Sequence, residues 1–273
     1  MSATKTQIEE YEAARTVGGR YRGTVGLLYG GALQSVHETF LAMAPPDVNV
    51  LIMTTTWSKA MLHAGDFDAD AFAERRADLV ETARATAGFT PLDSLCIGGD
   101  LVQAAMGRTW SQELAVEVEE AIGVRTHMAM ELVCSSLRYL DAQNVALVSP
   151  FPKKRSDHLR GYLEEAGFDV PVIRGVETTT VDTIRELPRE APYDVTARAL
   201  TAAEEQDVSV DAVYLTCPVW NSNEVVERLE QRFGVPVVTM FSPVLWQGLR
   251  DLDVTEGVTG YGRLLARPRS RED

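Results

Sequence analysis

The chain has no run of about 18 consecutive apolar residues, the length a membrane-spanning helix needs. Its first 22 residues are polar and charged and lack the apolar core of a secretory leader. Cysteine is scarce: Cys96, Cys134 and Cys217 make an odd count with no C-x-x-C pair, so a disulfide framework is not expected. That usage predicts a reducing, cytoplasmic setting. The four histidines, His37, His63, His127 and His158, show no metal-ligand spacing, and no metal or other cofactor is expected. Positive charge is also short. Lys and Arg number 26 against 40 Asp and Glu, a net charge of −14 that would repel a nucleic-acid phosphate backbone. There is no G-x-G-x-x-G and no G-K-[ST] phosphate loop, no low-complexity segment and no clear internal repeat.

What is present is a core-forming composition. The 273 residues are 45% hydrophobic, enough for one large α/β domain or two ordinary lobes. Short apolar runs cover 24–29, 48–54, 92–97, 124–128, 145–148, 170–173, 212–216 and 235–240. Continuous runs of that length suit strands buried on both faces. Helical patterns lie between them at 69–87, 111–122, 130–140, 156–165, 195–205 and 222–233. This alternation predicts βαβ units and a mostly parallel sheet. Gly123, Gly167 and Gly234 follow three of the helical patterns as stop signals, and Ser222 is the expected N-cap of the last.

Ligands of parallel α/β sheets gather at the carboxyl ends of the strands. Five runs end in small, polar or reactive residues: Gly30-Gly31, Thr55-Thr56-Trp57, Gly98-Gly99-Asp100, Ser149-Pro150-Phe151 and Cys217-Pro218-Val219-Trp220-Asn221. Cys217 stands where a strand hands over to a helix, where the helix dipole favours a thiolate and lowers the thiol pKa. It reads either as an acid, base or nucleophile or as a small buried hydrophobe. Cys96 and Cys134 read as core. Asp100 reads either as a helix N-cap or as an acid–base group facing a ligand. Lys153-Lys154-Arg155 is either a solvated helix start or a carboxylate clamp. Trp57 and Trp220 either line an apolar pocket or pack.

The segments 211–217 and 229–238, with 24–28, 140–150, 175–177 and 261–264, resemble the aspartate/glutamate racemase superfamily over roughly residues 22–265. The branch they resemble is that of arylmalonate decarboxylase and maleate cis-trans isomerase. The resemblance implies two similar Rossmann-like α/β lobes with parallel sheets and an active site in the cleft between them. It divides the chain into an N-terminal lobe, 1–128 completed by 239–273, and a C-terminal lobe, 129–238.

Racemases of that superfamily set one cysteine on each side of a planar carbanion, since inversion needs a base on each face. Here Cys217 matches the second-lobe cysteine, and the first-lobe position falls on Gly99. One cysteine facing a glycine resembles the decarboxylase. The implied reaction is loss of carbon dioxide at a carbon alpha to a carboxylate, without a cofactor, with Cys217 delivering the proton to the enediolate. The alternatives are an isomerase or racemase using Cys217 with Asp100 as second group, and a carboxylate-binding protein without catalysis. Gly30, Gly31, Thr55, Thr56, Trp57, Gly99, Ser149, Phe151, Pro218, Val219 and Trp220 are the expected substrate contacts. Against the family pattern, Asp100 and Leu101 replace hydroxyls, Phe151 replaces a tyrosine, and Pro218 replaces a glycine and its N–H. The expected partner is a small carboxylate, with no nucleic acid and no membrane; a homo-oligomer is left open.

Overall fold

Eight strands form two four-stranded sheets in which every pairing is parallel. The structure is a computed structural model and describes residues 21–29, 34–55, 69–178 and 180–266. The first half runs β1 (Gly23–Tyr29), α1 (Gln34–Met43), β2 (Val48–Thr54), α2 (Ala69–Phe89), β3 (Ser94–Ile97), α3 (Asp100–Met106), α4 (Arg108–Ile122) and β4 (Thr126–Met128). After α5 (Ala129–Tyr139) come β5 (Asn144–Ser149), α6 (Lys153–Glu165), β6 (Asp169–Gly175), α7 (Val181–Arg185), α8 (Ala191–Glu205) and β7 (Ala212–Leu215). Two 3-10 turns, Pro218–Trp220 and Ser222–Val225, lead into α9 (Val226–Phe233), β8 (Val237–Thr239), α10 (Phe241–Asp251) and α11 (Arg263–Ala266).

The strand orders, β2-β1-β3-β4 and β6-β5-β7-β8, match position for position. The alternating pattern predicts the α/β class of this fold, and the resemblance its two lobes. All eight apolar runs contain a strand. Burial on both faces explains why they read as continuous: along β1, Val25 and Leu27 face one apolar cluster and Leu28 the opposite one. The first cluster packs β1 against α1 and α10, and the second against α2 and α4. α10 comes so close that a Cβ on Gly248 would stand 2.7 Å from Val25. One continuous cluster fills the second lobe, and α5 lies between the lobes, with Met130 and Val133 in that cluster and Ala129 and Leu132 in the first-lobe one. Each fully buried aliphatic or aromatic side chain of these clusters contributes roughly 1.5–3 kcal/mol.

Two boundary expectations are corrected. Ser222 does not cap a helix: its hydroxyl donates to the Cys217 carbonyl, and α9 begins only at Val226 after a 3-10 turn. Asp100 is the first residue of α3 rather than its N-cap, which is Gly99. Gly123 and Gly234 do close their helices at φ 68° and 73°, and Gly167 follows the α6 cap, Ala166, at φ 96°. Among the described residues, no helix is long and apolar enough to cross a membrane.

Candidate active site

The equivalent strands β3 and β7 end in the same way. Gly98 N–H donates to Leu28 O (2.8 Å) on β1, and Thr216 N–H donates to Val148 O (3.0 Å) on β5. The next residue in each lobe turns the chain into a helix with positive φ: Gly99 at φ 95° and Cys217 at φ 72°. A β-carbon in this region is strained, so Cys217 holds a conformation that glycine adopts freely. Gly99 thus stands at the position in the first lobe that Cys217 holds in the second, the position to which the resemblance assigns it. Cys96 is no substitute: it is paired with Leu27 and His127 inside the sheet and 2% exposed. Cys134 is buried in α5.

The two strand ends are joined across the lobes by Asp100. Its Oδ2 accepts from the Tyr214 hydroxyl (2.9 Å) and from the Thr216 hydroxyl, and its Oδ1 accepts from Leu101 N–H (2.9 Å). Burial pushes the Asp100 carboxyl above its ordinary range, and these hydrogen bonds offset the shift only in part. Tyr214 on β7 and Thr216 just past its end alternate with Leu215, which places both hydroxyls on one side of the chain.

Cys217 itself is 3% exposed. Burial raises its thiol pKa, the Asp100 carboxylate raises it further, and the N–H groups of Val219 and Trp220 oppose this without reversing it. The lowered pKa expected from a helix dipole is therefore corrected. The element that follows is a three-residue 3-10 turn with a small dipole, and desolvation dominates. At neutral pH Cys217 is a thiol, able to give a proton.

The remaining expected contacts sort as follows. Pro218, Val219 and Trp220 form the buried turn beside Cys217, and that turn packs on α1 of the other lobe. Ser149 ends β5, fully buried, and its Oγ accepts from Phe151 N–H (3.1 Å). Phe151 is buried next to it. Thr55 is 8% exposed, and its N–H donates to Tyr29 O (3.2 Å). Gly30, Gly31, Thr56 and Trp57 lie outside the described residues. In the basic run, Lys153 is exposed and pairs with Asp157 (2.6 Å), whereas Arg155 is buried. Among the described residues no group of three His, Cys, Asp or Glu side chains is placed to hold a metal ion.

Sequence reading missed Tyr29, Tyr214, Thr216 and Gln103. Tyr29, Tyr214 and Thr216 fall within the apolar strand runs 24–29 and 212–216, so each was absorbed into the core pattern. Gln103 is 1% exposed; its amide nitrogen donates to Ile97 O (2.8 Å) and Gly98 O (3.1 Å), and its oxygen accepts from Met130 N–H (2.9 Å). It holds the β3 end against α5. A lone glutamine five residues after Gly98 was its only signal.

A maleate isomerase of Nocardia farcinica is 36% identical over 131 residues, 47% of this chain and 49% of the relative. An arylmalonate decarboxylase of Bordetella bronchiseptica is 26% identical over 159 residues, 58% of this chain and 65% of the relative. The chain thus matches about half the length of the first of these relatives and just under two thirds of the second. A solved structure of a Nocardia farcinica maleate cis-trans isomerase, with a covalently bound succinylcysteine intermediate, shares the fold. Its TM-score is 0.75 at 24% identity, over 92% of this chain and 99% of that one. The profile of the family described as arylmalonate decarboxylase matches residues 43–265, which is most of the chain, and the chain belongs to that family.

Proposed function

We propose that the chain is a cofactor-independent enzyme acting on a small dicarboxylate, releasing carbon dioxide from a carbon that carries two carboxylates. The electrons of the broken C–C bond remain as an enediolate, the Cys217 thiol gives its proton to that carbon, and water reprotonates the thiolate. The observation that carries this reading is the pairing of a buried Cys217 with a glycine at its counterpart position. A one-sided acid suits proton delivery to one face of a carbanion and suits two-base inversion poorly. The relatives' names support the substrate class.

A second reading, cis–trans isomerisation, draws on the 36% identity to a maleate isomerase. Asp100, as second group, would take the proton of the Cys217 thiol; the sulfur would add to the double bond, the new single bond would rotate, and elimination would return the thiolate and the trans product.

The deciding experiment offers phenylmalonate and maleate separately to the purified protein. Carbon dioxide release with phenylacetate as product supports the first reading, and conversion of maleate to fumarate the second. Either activity should vanish in Cys217→Ala. Binding of these dianions without turnover, unchanged in Cys217→Ser, would leave a carboxylate-binding protein in place of both.

A further inference from the structure

A carboxylate brought to this site needs hydrogen-bond donors, because Asp100 already makes the field there unfavourable to a second anion. Most nearby donors are engaged. The Tyr214 and Thr216 hydroxyls go to Asp100, the Gln103 amide to Ile97 and Gly98, and the Ser222 hydroxyl to the Cys217 carbonyl. The N–H groups of Val219 and Trp220 face the Cys217 sulfur. Pro218 has no N–H and Phe151 no polar side-chain atom.

Tyr29 is different. It is the last residue of β1, at the carboxyl end of the first sheet and beside the end of β3. Its ring is held on two sides. A Cβ on Gly98 would stand 2.6 Å from Tyr29 Cδ2, so only glycine admits the ring there, and Phe241 meets it edge-on with centroids 6.3 Å apart. Among the described residues its hydroxyl has no hydrogen-bond partner. Burial raises the phenol pKa well above its ordinary value, and the charges of Asp100 and Cys217 act in the same direction. The hydroxyl therefore keeps its proton and senses both groups. Thr55, whose N–H is bonded to Tyr29 O, has a buried Oγ1 that is also without a partner among the described residues. Two unengaged hydroxyls thus end adjacent strands of the first lobe, while in the second lobe the Trp220 indole N–H and the Asn223 amide nitrogen are the buried donors beside Cys217 left without a partner among the described residues.

We propose that Tyr29 is the donor by which the first lobe grips a substrate carboxylate opposite Cys217, with Thr55 as its neighbour in the same grip. This rests on the carboxylate reading given above. The phenol donates one hydrogen bond to a carboxylate oxygen that stays on the substrate, and it holds that oxygen as negative charge grows during enediolate formation.

Tyr29→Phe keeps the ring on Gly98 and removes only the oxygen. On whichever dianion the wild type turns over, kcat/KM should fall by about 10²–10³, the effect of removing one such donor. As a second measurement, 3-fluorotyrosine is incorporated into Cys217→Ala protein, which is then titrated with phenylmalonate or maleate. The fluorine resonance missing from the Tyr29→Phe sample should shift on binding. Equal kcat/KM in Tyr29→Phe, or an unmoved Tyr29 resonance while calorimetry records binding, overturns the role of Tyr29 and leaves the carboxylate reading intact. If neither dianion binds the wild type, the carboxylate reading falls and this inference falls with it.

Discussion

The Tyr214 hydroxyl donates 2.9 Å to Asp100 Oδ2 and so ties the middle of one lobe to the first helical turn at the end of a strand in the other. The two residues are 114 positions apart, and both are buried. Because burial dominates at Asp100, its folded pKa lies above its unfolded value of about 3.9. The stability linked to this group is complete below that unfolded value and is lost as pH rises through the folded one. Asp100→Asn should therefore flatten the decline of chemical stability above about pH 4. Tyr214→Phe should cost about 1–3 kcal/mol in urea unfolding, since a buried carboxyl loses a donor. A wild-type stability that rises steadily from pH 4 to 7, with Asp100→Asn unchanged, would contradict the raised carboxyl.

Cys217 should react slowly with iodoacetamide at neutral pH, slower than a free thiol in solution, because it is buried and its pKa is raised. Asp100→Asn removes the neighbouring negative charge and should speed the alkylation. Peptide mapping after timed quenching separates Cys217 from Cys96 and Cys134, which should remain the least modified.

Gly99→Cys should give a folded protein, because Cys217 already holds a comparable turn in the other lobe. The positive φ sets the cost at roughly 1–2 kcal/mol. With a thiol on each side, a product bearing an α-proton should exchange that proton with D2O and lose its handedness, which chiral chromatography would record. Retained handedness would mean that the two positions do not face one carbon.

At the opposite end of the first sheet, Asp251 accepts from Ser94 Oγ (2.7 Å) and meets His127 Nε2 (2.7 Å) and Gln247. Burial would raise this carboxyl, but His127, Ser94 and Gln247 outweigh it and hold it below its ordinary range. Its stabilisation is therefore present above the unfolded carboxyl pKa and lost as pH falls through the folded value. Asp251→Ala should cost about 3 kcal/mol at pH 7, with a smaller difference in acid. Calorimetry of both proteins at pH 7 and pH 3 checks this; an equal melting temperature at pH 7 would count against it.

The sheets were legible because both of their faces are covered, which turns each strand into an apolar run without alternation. α10 was not. It carries Pro243 and Gly248, both poor helix formers, and nine of its eleven residues are buried, so its polar face is narrowed to Gln247 and Arg250. α3 escaped for a related reason, being seven residues between two glycines with most of its length buried. Cys217 and Gly99 could be located at strand ends, which are local features, but their pairing came from the resemblance and not from spacing. The bonds from Asp100 to Tyr214 and Thr216 could not, because they exist only once two separately patterned lobes meet.

The return of α10 to the first sheet has a consequence for the order in which the molecule is made. Phe241, Leu245 and Leu249 share a core with Val25 and Leu27, yet the whole second sheet lies between them in the chain. During synthesis the second lobe receives all its strands in one continuous stretch, whereas β1 waits with one face incompletely covered until α10 leaves the ribosome. The lobe that begins first is thus completed last, and its uncovered apolar face is the place where a nascent chain most needs protection.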